Sequence, residues 1–172
     1  MPAVTVFDMM SRGRDKAVLH EFLEYQRVSV LAVLNGLDEA ALHRSVLPSG
    51  WTPLGLVEHL GHAERHWFQE VLTGSAGPLP WPDEADTPLR TTRAPSVVFS
   101  FYRDQCRISD SIIEVTPMEA APVGRHPDKI LASQTMDLRR IMLHMIEETA
   151  RHAGHLDAAR ELIDGRTGLG PR

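Results

Sequence analysis

One segment narrows the folds open to this chain more than any other: HMIEETARHAGHLDAARELIDG, residues 144–165. At about 100° per residue from Leu138, the side chains of Met142, Met145, Thr149, His152, Leu156 and Ile163 fall within about 40° of one line. A stripe of that length predicts a long helix with one buried side, and it turns His152 inward. Glu148 lies one turn earlier on the edge of the stripe, whereas Glu147 falls on the solvent side. Glu148 and His152 are therefore an i, i+4 pair able to converge on one point inside a bundle. A carboxylate and an imidazole in a core need a partner for their charge, and a divalent metal is one such partner.

The rest of the chain supplies the helices for that segment to pack against. Over about 15–35, Val18, Leu19, Phe22, Leu23, Val30, Leu31 and Leu34 recur at three and four and predict a first helix, preceded by an arm of about a dozen residues without a period. Gly36 closes it, and DEAALHRSVL forms a short helical turn before the break at Pro48, Ser49 and Gly50. Thr52 as cap and Pro53 at the first helical position open a second helix that runs to about residue 73. The proline-rich stretch 74–95 is a loop, too long for an ordinary bundle connection, and so a lid or a long crossover. Trp81 within it is the residue to close over a pocket, although packing onto a helix is the commoner use of such an aromatic.

A third helix over about 96–115 has Val97, Val98, Phe101, Ile108, Ile112 and Val115 as its inner residues. Pro117, Pro122, Gly124 and Pro127 then interrupt the chain before a fourth helix begins near Ser133 or Thr135. No strand pattern competes. The expected fold is all-α, a four-helix bundle with a long crossover loop, in one domain over 1–172 with its core at about 15–165.

Charge and cysteine content exclude several functions. The net charge of −5 without a basic run disfavours nucleic acid. Cys106 is the single cysteine, so an intrachain disulfide and a zinc–thiolate cluster are both ruled out, as fits a reducing cytoplasm. The N-terminal residues lack a signal-peptide pattern, and the longest apolar run, VSVLAVL, is far too short for a membrane span. The expected protein is cytoplasmic, acts on a small molecule and touches neither membrane nor nucleic acid; a homodimer is a possible assembly.

Bundles build metal sites from side chains on facing helices. The fourth helix offers Glu148 and His152, and the second offers His59 or His62, which with His66 make one side of that helix rich in imidazole. His-Ala-Glu-Arg-His at 62–66 is not the zinc-protease motif, because Glu64 stands at the wrong position. Two imidazoles and a carboxylate suit a catalytic zinc, and also iron, nickel or manganese. His144 and His155 flank the stripe as candidate supports for the ligands, while His20, His43 and His126 read as surface residues.

GWTPLGLVEHLGHAERHWF together with HMIEETARHAGHLDAARELIDG resembles the DinB/YfiT superfamily of metal-binding four-helix bundles, which includes mycothiol-dependent maleylpyruvate isomerase. The likeness covers roughly residues 15–165. A His eight residues after the Trp of Trp-Thr matches Trp51, Thr52 and His59, which favours His59 over His62 and leaves His62 among the supporting residues. The pair spaced by four is similar to the Glu-x-x-x-His of the isomerase branch, matching Glu148 and His152. Arginine replaces lysine almost throughout, 16 against 2, a habit of the high-GC genomes whose owners use mycothiol. The resemblance implies a divalent metal, zinc first, and a low-molecular-weight thiol cosubstrate attacking a small electrophile in detoxification, as transferase or isomerase. A metal-dependent hydrolase and a non-catalytic metal-binding stress protein are the alternatives. Cys106 is a small packed residue in this reading and not a nucleophile.

Overall fold

A computed structural model describes residues 6–81 and 89–167, with side chains from Arg14 onward. Helix α1 spans Val6–Leu34, α2 Glu39–Leu42, α3 Pro53–Glu64 with a π-helical extension Arg65–Thr73, α4 Pro95–Val115, α5 Lys129–Gln134 and α6 Leu138–Asp164. No strand occurs among the described residues. Local chemistry sets the boundaries. Thr52 accepts a hydrogen bond from the Gly55 N–H and Pro53 follows it at the first helical position. Asp137 caps α6 through the Arg140 N–H, and Gly165 ends it in the left-handed region at φ 76°.

The four long helices form a bundle in the ring order α1, α6, α3, α4. Helices α1 and α6 run parallel, because Arg139 reaches Asp15 near their starts and Arg160 donates to the Val33 and Asn35 carbonyls near their ends. Helix α4 runs against α1, with His20 and Arg27 both meeting Asp110 and Lys16 meeting the Glu114 carbonyl. Helix α3 runs against α6, and therefore parallel to α4. That parallel pairing explains the long 74–94 connection: the chain must return to the end of the bundle where α3 began. Leu89 is back at that end, its carbonyl accepting from the Thr52 N–H at 2.9 Å. The stretch is thus a crossover. Gly61 lets α3 and α4 approach closely, since a Cβ there would lie 2.7 Å from the Phe101 ring.

Two apolar clusters fill the interior, one around Val30, Leu60, Cys106 and Leu156 and the other around Leu23, Phe68, Ile113 and Met145. Between them lies one buried polar residue from each helix: Arg27, Glu64, Ser109 and Thr149, none more than 2 % exposed. Arg27 Nε and Nη2 donate to the two Glu64 oxygens at 2.8 Å each, and Nη1 donates to Asp110 at 2.6 Å. A bidentate pair of this kind satisfies both buried groups.

Several expectations need correction. Residues 6–12 continue α1 as helix rather than forming an arm, and 1–5 lie outside the described residues. Val18, Phe22, Val97, Ile108 and Val115 are exposed, because α1 and α4 turn Leu23, Arg27, Tyr102, Gln105 and Ser109 inward, and hydropathy gives polar residues no credit for burial. Residues 129–134 form a separate short helix ahead of α6. His20, His43 and His126, read as surface residues, are half-buried at the surface, where they bond to Asp110, bond to the Thr91 carbonyl and stack on Trp67.

Arg27→Ala should destabilise the fold by about 3–5 kcal/mol, because it strands the Glu64 carboxylate in the interior. Arg107→Ala, which removes an exposed charge, should leave the urea midpoint within error of wild type. Equal midpoints for the two variants would show that the Arg27 pair contributes nothing.

Candidate metal centre

His59 projects from the second turn of α3 towards α6, and Glu148 and His152 project from successive turns of α6 to meet it. A single Glu148 oxygen, Oε1, lies 3.2 Å from His59 Nε2 and 2.9 Å from His152 Nε2. The two imidazole rings stand edge to face with centroids 5.2 Å apart. Hydrogen bonds from His152 and then His59 hold the Glu148 carboxyl far below the usual carboxylate range, despite its partial burial. Those bonds favour its carboxylate form.

One atom from each of the three side chains lies within 4.8 Å of the other two, so the cluster could hold a metal ion. Two donors held at about 2.1 Å by one cation are about 3.0 Å apart in octahedral and about 3.4 Å apart in tetrahedral coordination. The separations from Glu148 Oε1 already fall near those values. The donor set also fits the chemistry, with borderline nitrogen and hard oxygen ligands and no thiolate. The side chains of His59, Glu148 and His152 are 32 %, 22 % and 12 % exposed, so a fourth position can face solvent. The cluster is therefore at the α3–α6 seam and not in the middle of the bundle.

His155 Nδ1 lies 3.4 Å from His152 Nδ1, which leaves His152 Nε2 to face Glu148, and Trp51 stands against the His155 ring at 6.1 Å. His144 sits one turn before Glu148 but packs on Trp67, ring centroids 4.5 Å apart; burial lowers its pKa and favours the neutral ring.

His62 does not join the cluster. It is buried against Phe101 on the α4 side of α3, with Nε2 3.9 Å from Glu58. His66 bonds to Glu70, within the π-helical turns that follow Glu64. A wheel drawn at 100° per residue loses its phase there. Trp81 is not a lid over the cluster: it packs on Phe101 at 4.9 Å beneath Arg93, whose guanidinium lies 4.6 Å from the indole. Of the arginines near the site, Arg65 is held by Glu70 and the Gly77 carbonyl, and Arg151 pairs with Glu147 on the exposed side of α6.

A family model described as mycothiol-S-transferase matches residues 18–165, which takes in the whole of α3, α4 and α6. The chain belongs to the mycothiol-S-transferase family. No curated protein and no solved structure matches it. The membership agrees with the DinB/YfiT-like resemblance carried by Trp51, Thr52, His59, Glu148 and His152, and it connects this mycothiol-S-transferase family member with thiol transfer. Among the described residues, no helix is long and apolar enough to cross a membrane.

Glu148→Gln should lose most of the metal taken up from a zinc-supplemented buffer while Glu147→Gln keeps it, measured by elemental analysis after dialysis. In the metal-free protein, the depressed Glu148 pKa gives stability that is fully present above the ordinary carboxylate value near 4.5 and is lost as pH falls below it. The stability gap between wild type and Glu148→Gln should therefore narrow in acid; a gap that widens would contradict the assigned sign.

Proposed function

We propose that this protein is a divalent-metal-dependent S-transferase that joins mycothiol, or a closely related low-molecular-weight thiol, to a small electrophile. The observation that carries the reading is the single Glu148 oxygen shared by the Nε2 atoms of His59 and His152, in a member of a mycothiol-S-transferase family. His59, Glu148 and His152 would hold the cation, with zinc the best match to two imidazoles and a carboxylate. The bound cation would favour thiolate over thiol near neutral pH.

The chain's own residues then have limited tasks. Glu148 offsets part of the cation's charge, which weakens acidification of the thiol but eases departure of the sulfur. The His155 contact holds the His152 ring in orientation. A narrow cleft of about 160 Å³, bordered by Trp67, Arg140, His144 and Glu147, lies one turn along α6 and gives room for part of the substrate. In the reaction the thiol proton leaves to solvent and the sulfur lone pair forms a C–S bond to the electrophilic carbon. With an epoxide, the ring C–O bond breaks and the resulting alkoxide takes up a proton. Such chemistry belongs in the cytoplasm, where small thiols stay reduced.

The protein need not supply its own nucleophile. Cys106 is buried in α4, and burial together with the Glu64 carboxylate pushes its thiol well above the ordinary range.

The test is consumption of an epoxide or activated alkene by the zinc-loaded protein with and without mycothiol. Turnover should need both metal and thiol, survive Cys106→Ser within about twofold, and fall more than about 100-fold in His152→Ala. Turnover without thiol would overturn the transferase reading in favour of a hydrolase, and loss on Cys106→Ser would point to covalent catalysis by the protein.

A further inference from the structure

The two imidazoles of the cluster are held unequally. The His152 ring meets Glu148 through Nε2 and His155 through Nδ1. The His59 ring meets Glu148 through Nε2, but its Nδ1 has no hydrogen-bond partner among the described residues. The place of the His59 ring is therefore set by the place of the α3 backbone. At the side-chain radius of a helix, about 5–6 Å, turning α3 by about 10° about its axis would move a ring nitrogen by about 1 Å. That is about twice the ~0.5 Å tolerance of a preorganised site.

The last part of the crossover, residues 89–93, is neither helix nor strand, yet it is tied to α3 and the α2–α3 corner along most of its length. The Leu89 carbonyl accepts from the Thr52 N–H at 2.9 Å. Arg90 Nε donates to the Gly50 carbonyl, and the Thr91 carbonyl accepts from His43 Nδ1 at 3.0 Å. Arg93 Nη1 donates to Glu58 Oε1 at 2.9 Å. The Glu58 and Arg93 side chains are 10 % and 25 % exposed, and the Trp81 indole lies against the guanidinium, so solvent screens this pair weakly. Gly55 shows how closely the strap is fitted: a Cβ there would lie 2.2 Å from the Leu89 carbonyl oxygen, and one of the two backbones would have to move.

We propose that this strap, through the Arg93–Glu58 pair, fixes the rotation of α3 and so positions His59 for the cation, a role that rests on the metal reading above. His59 is bracketed by two anchors. Five residues after it, Glu64 is tied by Arg27, which sets the height of the helix. Four residues and one residue before it, Gly55 and Glu58 lie against the strap. Glu58 and His59 are neighbours about 100° apart around α3. A turn of the helix that swings His59 off Glu148 therefore also carries the Glu58 carboxylate off Arg93, and strands it in a largely buried place. Arg93 is thus a positioning residue that acts through Glu58.

The test is titration of the metal-free full chain with cobalt(II), read by the visible absorption of the bound ion, and then with zinc in competition. Arg93→Ala should weaken zinc binding about tenfold or more and change the shape of the cobalt spectrum, with helical circular dichroism unchanged. Arg93→Lys, which keeps a cation for Glu58, should restore most of the affinity and the wild-type spectrum. Adding Arg93→Ala to Glu58→Ala should weaken binding no further than Glu58→Ala alone, because the two act as one unit. An unchanged cobalt spectrum in Arg93→Ala, whether or not less cobalt is bound, would refute the role of the strap and leave the metal centre standing. A wild type that takes up neither ion would instead refute the metal reading itself, and the role of the strap with it.

Discussion

The buried Arg27–Glu64 pair, joined to Asp110, fixes how α1, α3 and α4 stand relative to one another. An apolar core tolerates a helix sliding by a turn, because one leucine can replace another against the same neighbours. A bidentate guanidinium–carboxylate pair in the interior does not, because any slip leaves two charges desolvated and unpaired. Arg27 ties α1 to α3 through Glu64 and to α4 through Asp110. With α3 held at that height, His59, five residues before Glu64, comes level with Glu148 and His152 on α6. The geometry of the His59–Glu148–His152 cluster thus depends on a salt bridge lower in the bundle.

The centre itself belongs to a seam between two helices. A seam is the place in a bundle where a polar side chain can be held rigidly on both sides and still reach solvent on the third. Glu148 is held by two imidazoles, and those imidazoles are held by their helices and, for His152, by His155. The π-helical turns of Arg65–Thr73 shift the side chains that follow Glu64. Trp67 and His66 therefore meet His126 and His144 in an aromatic stack and do not extend the line of imidazoles begun by His59. The cleft beside the site owes its aromatic wall to that shift.

The helical periods in the sequence carried the fold class and most of the core of α6, since Met142, Met145, Thr149 and Leu156 are all buried as their spacing implies. The caps at Thr52 and Asp137 are local hydrogen bonds, so the start of α3 was legible; the start of α6 was read a few residues early because α5 precedes it. The stripes on α1 and α4 misled at Val18, Phe22, Val97, Ile108 and Val115. Their buried sides carry Arg27 and Gln105, which look like surface residues until the partners that satisfy them, Glu64 and Gln69, are known.

What the sequence by itself determined is therefore what depends on near neighbours along the chain: helix periods, caps, and the four-residue spacing that puts Glu148 and His152 on one side of α6. What only the tertiary structure decided is what depends on pairing between distant segments. The crossover forced by parallel α3 and α4, the placing of Trp81 against Phe101 and the height of α3 against α6 all follow from contacts between residues tens of positions apart. No periodicity encodes those contacts, because they are chosen by which buried polar groups can satisfy one another once the helices meet.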